Sequence, residues 1–146
     1  MHRNEHSVEI DRPPEAVFPY LVEADKRLRW MGALKEAEQL TDGSPGLGTR
    51  FRDVFEDRGQ RFEIDTEIVE WEPGERLGTR LRANAFESSG RQELERLDGR
   101  TRLTTTIETE YRSRMARLMA GVITRHAQTQ LEQDHARLKT VLESQP

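Results

Sequence analysis

Apolar and polar positions along this chain repeat every two residues at the start, near every 3.6 for a short stretch, every two through the middle, and near every 3.6 to the end. Val8 and Ile10 alternate with Glu9 and Asp11, which predicts a strand over 5–12. Ala16, Val17, Phe18, Leu21 and Val22 then predict a helix ending near Val22. Pro13-Pro14 starts it, because a proline in the first turn lacks only an N–H that has no helical partner anyway. Pro19 removes a donor inside that helix and disfavours helical backbone at Phe18, so the helix is expected to be short or kinked. A second helical turn, about 24–29, carries the chain to Trp30.

From about 35 to 111 the alternation of a half-buried sheet takes over. Turn-forming clusters divide it: Asp42-Gly43-Ser44-Pro45-Gly46, Asp57-Arg58-Gly59, Glu72-Pro73-Gly74, Ser88-Ser89-Gly90 and Asp98-Gly99. They predict strands near 35–41, 48–57, 60–71, 75–84, 91–97 and 101–112. With the first strand this makes a seven-stranded antiparallel meander. The charged positions support the same register. Arg50 and Arg52, then Arg61, Glu63, Asp65 and Glu67, then Arg80 and Arg82, then Glu93 and Glu95, then Arg102 and Glu108 would lie on one outer face that reads basic, acidic, basic, acidic, basic from strand to strand. A slip of one residue would bury these charges.

Residues 113–143 predict one long helix with Ser113 as N-cap. Met115, Leu118, Met119, Val122 and Ile123 form its first apolar stripe, continued by Ala127, Leu131, Leu138 and Val141. The stripe must pack against something, since helices draw most of their stability from packing. The inner face of the sheet is the available surface.

Composition narrows the picture. The 146 residues are 34% apolar and 34% charged, a balance compatible with folding only because the apolar positions are patterned. One domain over 1–146 is expected. No apolar run nears the ~20 residues of a membrane span, and the first residues lack the apolar stretch of a signal peptide. A cytoplasmic location without an integral membrane segment is therefore expected. The absence of cysteine excludes disulfides, thiolate metal sites and cysteine nucleophiles. A net charge of −4 argues against nucleic acid as a partner. The excess of arginine over lysine, 20 to 3, fits the coding bias of a GC-rich bacterial genome.

The chain resembles the START-like (SRPBCC) superfamily of polyketide cyclase/dehydrase and lipid-transport-like proteins. The resemblance rests on Val-Glu-Ile-Asp-Arg-Pro-Pro-Glu-Ala-Val-Phe at 8–18, Trp30 after the short helices, Gly-Leu-Gly-Thr-Arg-Phe at 46–51, Ile-Val-Glu-Trp-Glu-Pro-Gly-Glu-Arg-Leu at 68–77 and Gly-Arg-Thr-Arg-Leu-Thr at 99–104. It implies an α+β helix-grip fold, in which a curved seven-stranded antiparallel sheet wraps a long C-terminal helix, with two short helices after the first strand. It also implies a cavity between sheet and helix that binds a hydrophobic or amphipathic small molecule.

The inner surface predicted for that cavity comprises Trp30, Phe51, Phe55, Phe62, Ile64, Thr66, Thr79 and Leu81, then Phe86, Leu103 and Thr105, and on the helix Met119, Val122, Ile123 and His126. Such a mixture, mainly apolar with scattered hydroxyls, suits small-molecule binding. Asp53 lies between Phe51 and Phe55 on the inward face, and a buried carboxylate tends to hold its proton. His126 follows Met115, Met119 and Val122 on one helical side, with Gln130 and Asp134 continuing a polar ridge at intervals of four. Asp53 and His126 are thus candidate acid–base groups. The other histidines, His2, His6 and His135, show no ligand spacing, so neither metal nor cofactor is expected. The expected partner is a small hydrophobic (lipid-, polyketide- or aromatic-like) ligand, on a monomer or homodimer. A cyclase/dehydratase enzyme using Asp53 and His126, and a protein-interaction module, are the alternatives.

Overall fold

A computed structural model describes residues 1–146. Strand β1 (His2–Ile10) leads into helices α1 (Pro14–Val22) and α2 (Ala24–Arg27). Strands β2 (Leu34–Gln39), β3 (Arg50–Asp57), β4 (Gln60–Glu72), β5 (Arg76–Arg82), β6 (Phe86–Leu97) and β7 (Arg100–Tyr111) follow, then α3 (Arg114–Leu118) and α4 (Ala120–Glu143). The strands form one antiparallel sheet in the order β1-β7-β6-β5-β4-β3-β2. This is the helix-grip arrangement that the resemblance implies.

Local chemistry accounts for the elements. Pro14 occupies the first turn of α1, and Pro19 leaves the Glu15 carbonyl without a helical donor on an exposed residue. Two-residue turns join β3 to β4 and β6 to β7. Arg58 and Gly59 (φ 52° and 78°) and Asp98 and Gly99 (φ 50° and 85°) take the positive angles such tight hairpins require.

Outside, the charges cross-link neighbouring strands as the alternation predicts. Arg50 reaches Asp65 at 2.5 Å, Arg52 reaches Glu63 at 2.6 Å, and Arg102 lies 3.0 Å from Glu95 and 3.2 Å from Glu9. Inside, a fourteen-residue apolar cluster joins α1, the sheet and the C-terminal half of α4. Leu103 and Leu138 are wholly buried in it, and each such side chain contributes roughly 1.5–3 kcal/mol.

Two expectations are corrected. Ser88-Ser89-Gly90 is not a turn but the middle of β6, where Ser88 pairs with Leu81 and Thr109, and Gly90 with Thr79 and Ile107. Small polar residues read locally as a turn, but strands on both sides hold them extended. The chain reverses one step earlier, where Ala83 N–H donates to Phe86 O at 2.9 Å. The single C-terminal helix is also broken. Met119 (φ −96°, ψ 9°) leaves the helical region between α3 and α4. The two pieces have different anchors: Arg117 Nε donates to Tyr111 O at 3.1 Å at the end of β7, while Lys139 Nζ donates to Glu9 O at 2.8 Å in β1.

Candidate functional site: the cleft between sheet and helix

Helix α4 packs along β1 and faces the inner side of the sheet, where its His135 meets Thr105 of β7. Asn4 Nδ2 donates to Thr124 O and to Gln128 Oε1, both at 3.0 Å. On the other flank of α4, the β3–β4 hairpin tip reaches across. His126 Nε2 lies 2.6 Å from Asp57 Oδ2, and Arg58 Nη2 lies 3.0 Å from His126 Nδ1. A guanidinium only donates, so Nδ1 accepts and Nε2 carries the proton shared with Asp57. Between these two attachments the inner face of β3 to β6 is incompletely covered. Phe55, Leu81 and Phe86 are half-buried there, and Phe62 is 38% exposed.

The aromatic residues of this cleft form a run. Phe55 and Phe62 stack at 5.8 Å between ring centres, and Phe62 meets Phe86 edge-on at 6.4 Å. Phe86 packs in turn beside a small cluster of Tyr111, Ala116 and Ala120, distinct from the main core. Buried polar groups lie between the two apolar clusters. In one, Thr105 Oγ1 lies 2.9 Å from His135 Nε2 and 3.1 Å from Gln92 Oε1, and His6 Nδ1 lies 2.7 Å from His135 Nδ1. Burial, with a smaller contribution from His6, lowers the His135 pKa to about 4. In the other, Asp53 is held by Arg27 and by Thr66 Oγ1, which donates at 2.8 Å.

The placement of the anticipated residues follows. Asp53 does face inward, 1% exposed, but bound to a guanidinium that lies over the Phe51 ring at 5.0 Å. His126 has both ring nitrogens engaged. Asp53 and Asp57 are four residues apart on β3, roughly 13 Å, so His126 on Asp57 and Asp53 on Arg27 do not meet in one site. Trp30, Phe51 and Leu103 belong to the main core, where Trp30 Nε1 donates to Tyr20 O at 2.7 Å. Ile64, Thr66 and Thr105 are buried in the sheet; Thr79, Leu81, Phe55, Phe62 and Phe86 line the cleft. Met119, at the break before α4, and Ile123, one turn before His126 on α4, are both partly exposed. Val122 points outward at 46% exposure, because nine residues, two and a half turns, separate it from inward Leu131.

Sequence reasoning missed Arg27, Gln92, His6 and His135. His6 shares the period-two face of Val8 and Ile10, and His135 falls four residues after Leu131, so counting faces would have found both. Arg27 carries no such signal among the charges around it. No three histidine, aspartate or glutamate side chains gather as metal ligands. A depression of about 380 Å³ opens on the outer face, but its charges pair among themselves, as Arg91 with Glu70 at 3.2 Å.

Comparison with known proteins fits this architecture. The family described as polyketide cyclase / dehydrase and lipid transport matches residues 1–143, and the chain belongs to it. Among solved structures, the Zhui aromatase/cyclase from Streptomyces sp. R1128 is 18% identical, with a TM-score of 0.81 over 97% of this chain and 93% of that one. A START superfamily protein from Mycobacterium smegmatis is 18% identical, with a TM-score of 0.72 over 97% of this chain and 99% of that one. A search of curated proteins found no match. No helix is long and apolar enough to cross a membrane.

Proposed function

We propose that residues 1–146 act as one unit that binds a hydrophobic or amphipathic small molecule in the cleft between the inner face of β3–β6 and the flank of α4. The observation that carries this reading is the run Phe55–Phe62–Phe86, which faces the helix yet stays partly open to solvent. Aromatic side chains left uncovered on an inward face gain roughly 25 cal/mol per Å² when a ligand covers them. Leu81, Met119 and Ile123 complete the apolar lining.

Binding is better supported than acid–base turnover by Asp53 and His126. Asp53 is buried and held by Arg27 and Thr66, both ring nitrogens of His126 are engaged by Asp57 and Arg58, and the two residues lie in separate places, so no acid–base pair faces a shared substrate. The test is a thermal-shift and native-mass-spectrometry screen against fatty acids, quinones and polyaromatic compounds. Stabilisation by at least one class, weakened by Phe62→Ser, is the expected result. No stabiliser and no bound species would overturn the reading.

A further inference from the structure

The polar chain across the middle of the inner face has a direction. As placed, Gln92 Oε1 can only accept, so the Thr105 hydroxyl donates to it at 3.1 Å. Thr105 Oγ1 must then accept from His135 Nε2–H at 2.9 Å. That leaves His135 Nδ1 as an acceptor, and it takes the proton of His6 Nδ1 at 2.7 Å. Every member has a partner, and the four residues run from the edge strand β1 through α4 and β7 to β6.

The chain ends on an amide with one side unused. Gln92 Nε2 makes no hydrogen bond, and the only buried side-chain nitrogen or oxygen without a partner is Arg76 Nε on the outer face. The Gln92 amide nitrogen is therefore open to solvent. Gln92 shares the inward face of β6 with Ser88 and Gly90, and Gly90 pairs with Thr79. A side chain at Gly90 would stand 2.7 Å from Thr79 Oγ1. Having none, Gly90 leaves the floor of the cleft low beside the Thr79 hydroxyl, which has no hydrogen-bond partner of its own.

We infer that Gln92 Nε2, with the Thr79 hydroxyl beside it, is the hydrogen-bonding subsite of the cleft and selects ligands carrying a carbonyl or similar acceptor oxygen. Thr105 and His135 act as positioning residues: the Thr105 hydroxyl fixes which end of the Gln92 amide faces the ligand, and linked donors strengthen one another. The inference rests on the proposed binding cleft and names the polar half of the ligand that the aromatic run leaves undefined.

The test uses two rigid probes that differ only in the acceptor, 9-fluorenone and fluorene, titrated against the full chain. Fluorenone should bind roughly three- to tenfold tighter than fluorene, the range of one net hydrogen bond. Its carbonyl stretching frequency should fall on binding. Gln92→Leu, and Gln92→Glu, which keeps the shape but loses the N–H donors, should each abolish the preference, read as the ratio of the two affinities within each variant. Thr105→Val should reduce the preference and the carbonyl shift, and Thr105→Ser, which keeps the hydroxyl, should restore both. Equal binding of the two probes, or a preference that survives both Gln92 variants, overturns the subsite while leaving the cleft intact. Binding of neither probe overturns the cleft and the subsite together.

Discussion

Arg27 and Asp53 meet in a two-point contact, Nη1 to Oδ1 at 3.2 Å and Nη2 to Oδ2 at 2.5 Å, with side chains only 7% and 1% exposed. Removing one member leaves a buried charge without its counter-ion. Arg27→Met should therefore cost about 3–5 kcal/mol in urea unfolding. The double variant Arg27→Met, Asp53→Leu should regain most of that loss, because paired apolar replacements of similar volume are often neutral. A double variant no more stable than Arg27→Met would show that the ion pair contributes net stability.

His135 makes stability depend on pH. Its folded pKa of about 4 lies below the ordinary 6.5, so the unfolded chain binds the proton more readily. The stabilisation is fully present above pH 6.5 and is lost progressively as pH falls toward 4, by roughly 3 kcal/mol at most. Denaturation curves at pH 7, 5.5 and 4.5 should show this slope. His135→Leu should be less stable at pH 7, because Thr105 and His6 lose their partner, yet show a flatter profile through that window. An unchanged slope in the variant would assign the effect to other groups.

The His126–Asp57 bridge is a surface-facing clasp, with side chains 27% and 28% exposed. Its energetic contribution is accordingly small, and His126→Ala should cost less than about 1 kcal/mol. The informative readout is local. Hydrogen exchange should accelerate in residues 113–125 and at the 57–60 tip, while the C-terminal half of α4 keeps its protection. Uniform acceleration along α4 would rule out an independently opening end.

Gly78 is a steric requirement. A Cβ there would lie 2.6 Å from Glu70 Cβ, an atom fixed to the backbone that cannot swing aside. Glu70 is where the β4–β5 register shifts, so the bulge aims this side chain over the glycine. Gly78→Ala should cost roughly 1–3 kcal/mol, and Glu70→Ala, which retains the offending carbon, should not rescue it. Thermal melts of the three variants decide the matter.

The sheet was legible because its two faces differ so strongly in polarity. The alternation alone assigns Arg50, Arg52, Glu63 and Asp65 to the outer face. The site was less legible, since its key contacts join residues far apart in the chain. Nothing near Arg27 announces Asp53, and nothing near Asp57 announces His126. The Ser88-Ser89-Gly90 error has the same root: local composition spoke for a turn, and neighbours supplied by distant strands overruled it. His6 and His135 lack metal-ligand spacing, yet each sits on an apolar face, His6 with Val8 and Ile10 and His135 with Leu131 and Leu138.

The buried polar belt between the main core and the aromatic cleft has a consequence for how such a protein changes over time. Phe55, Phe62 and Phe86 lie outside the cluster that holds Leu103, Leu138 and Trp30. Substitutions among the three phenylalanines therefore reshape one end of the molecule without loosening the other. New specificities can be sampled at the cleft while the grip of sheet on helix stays as it is.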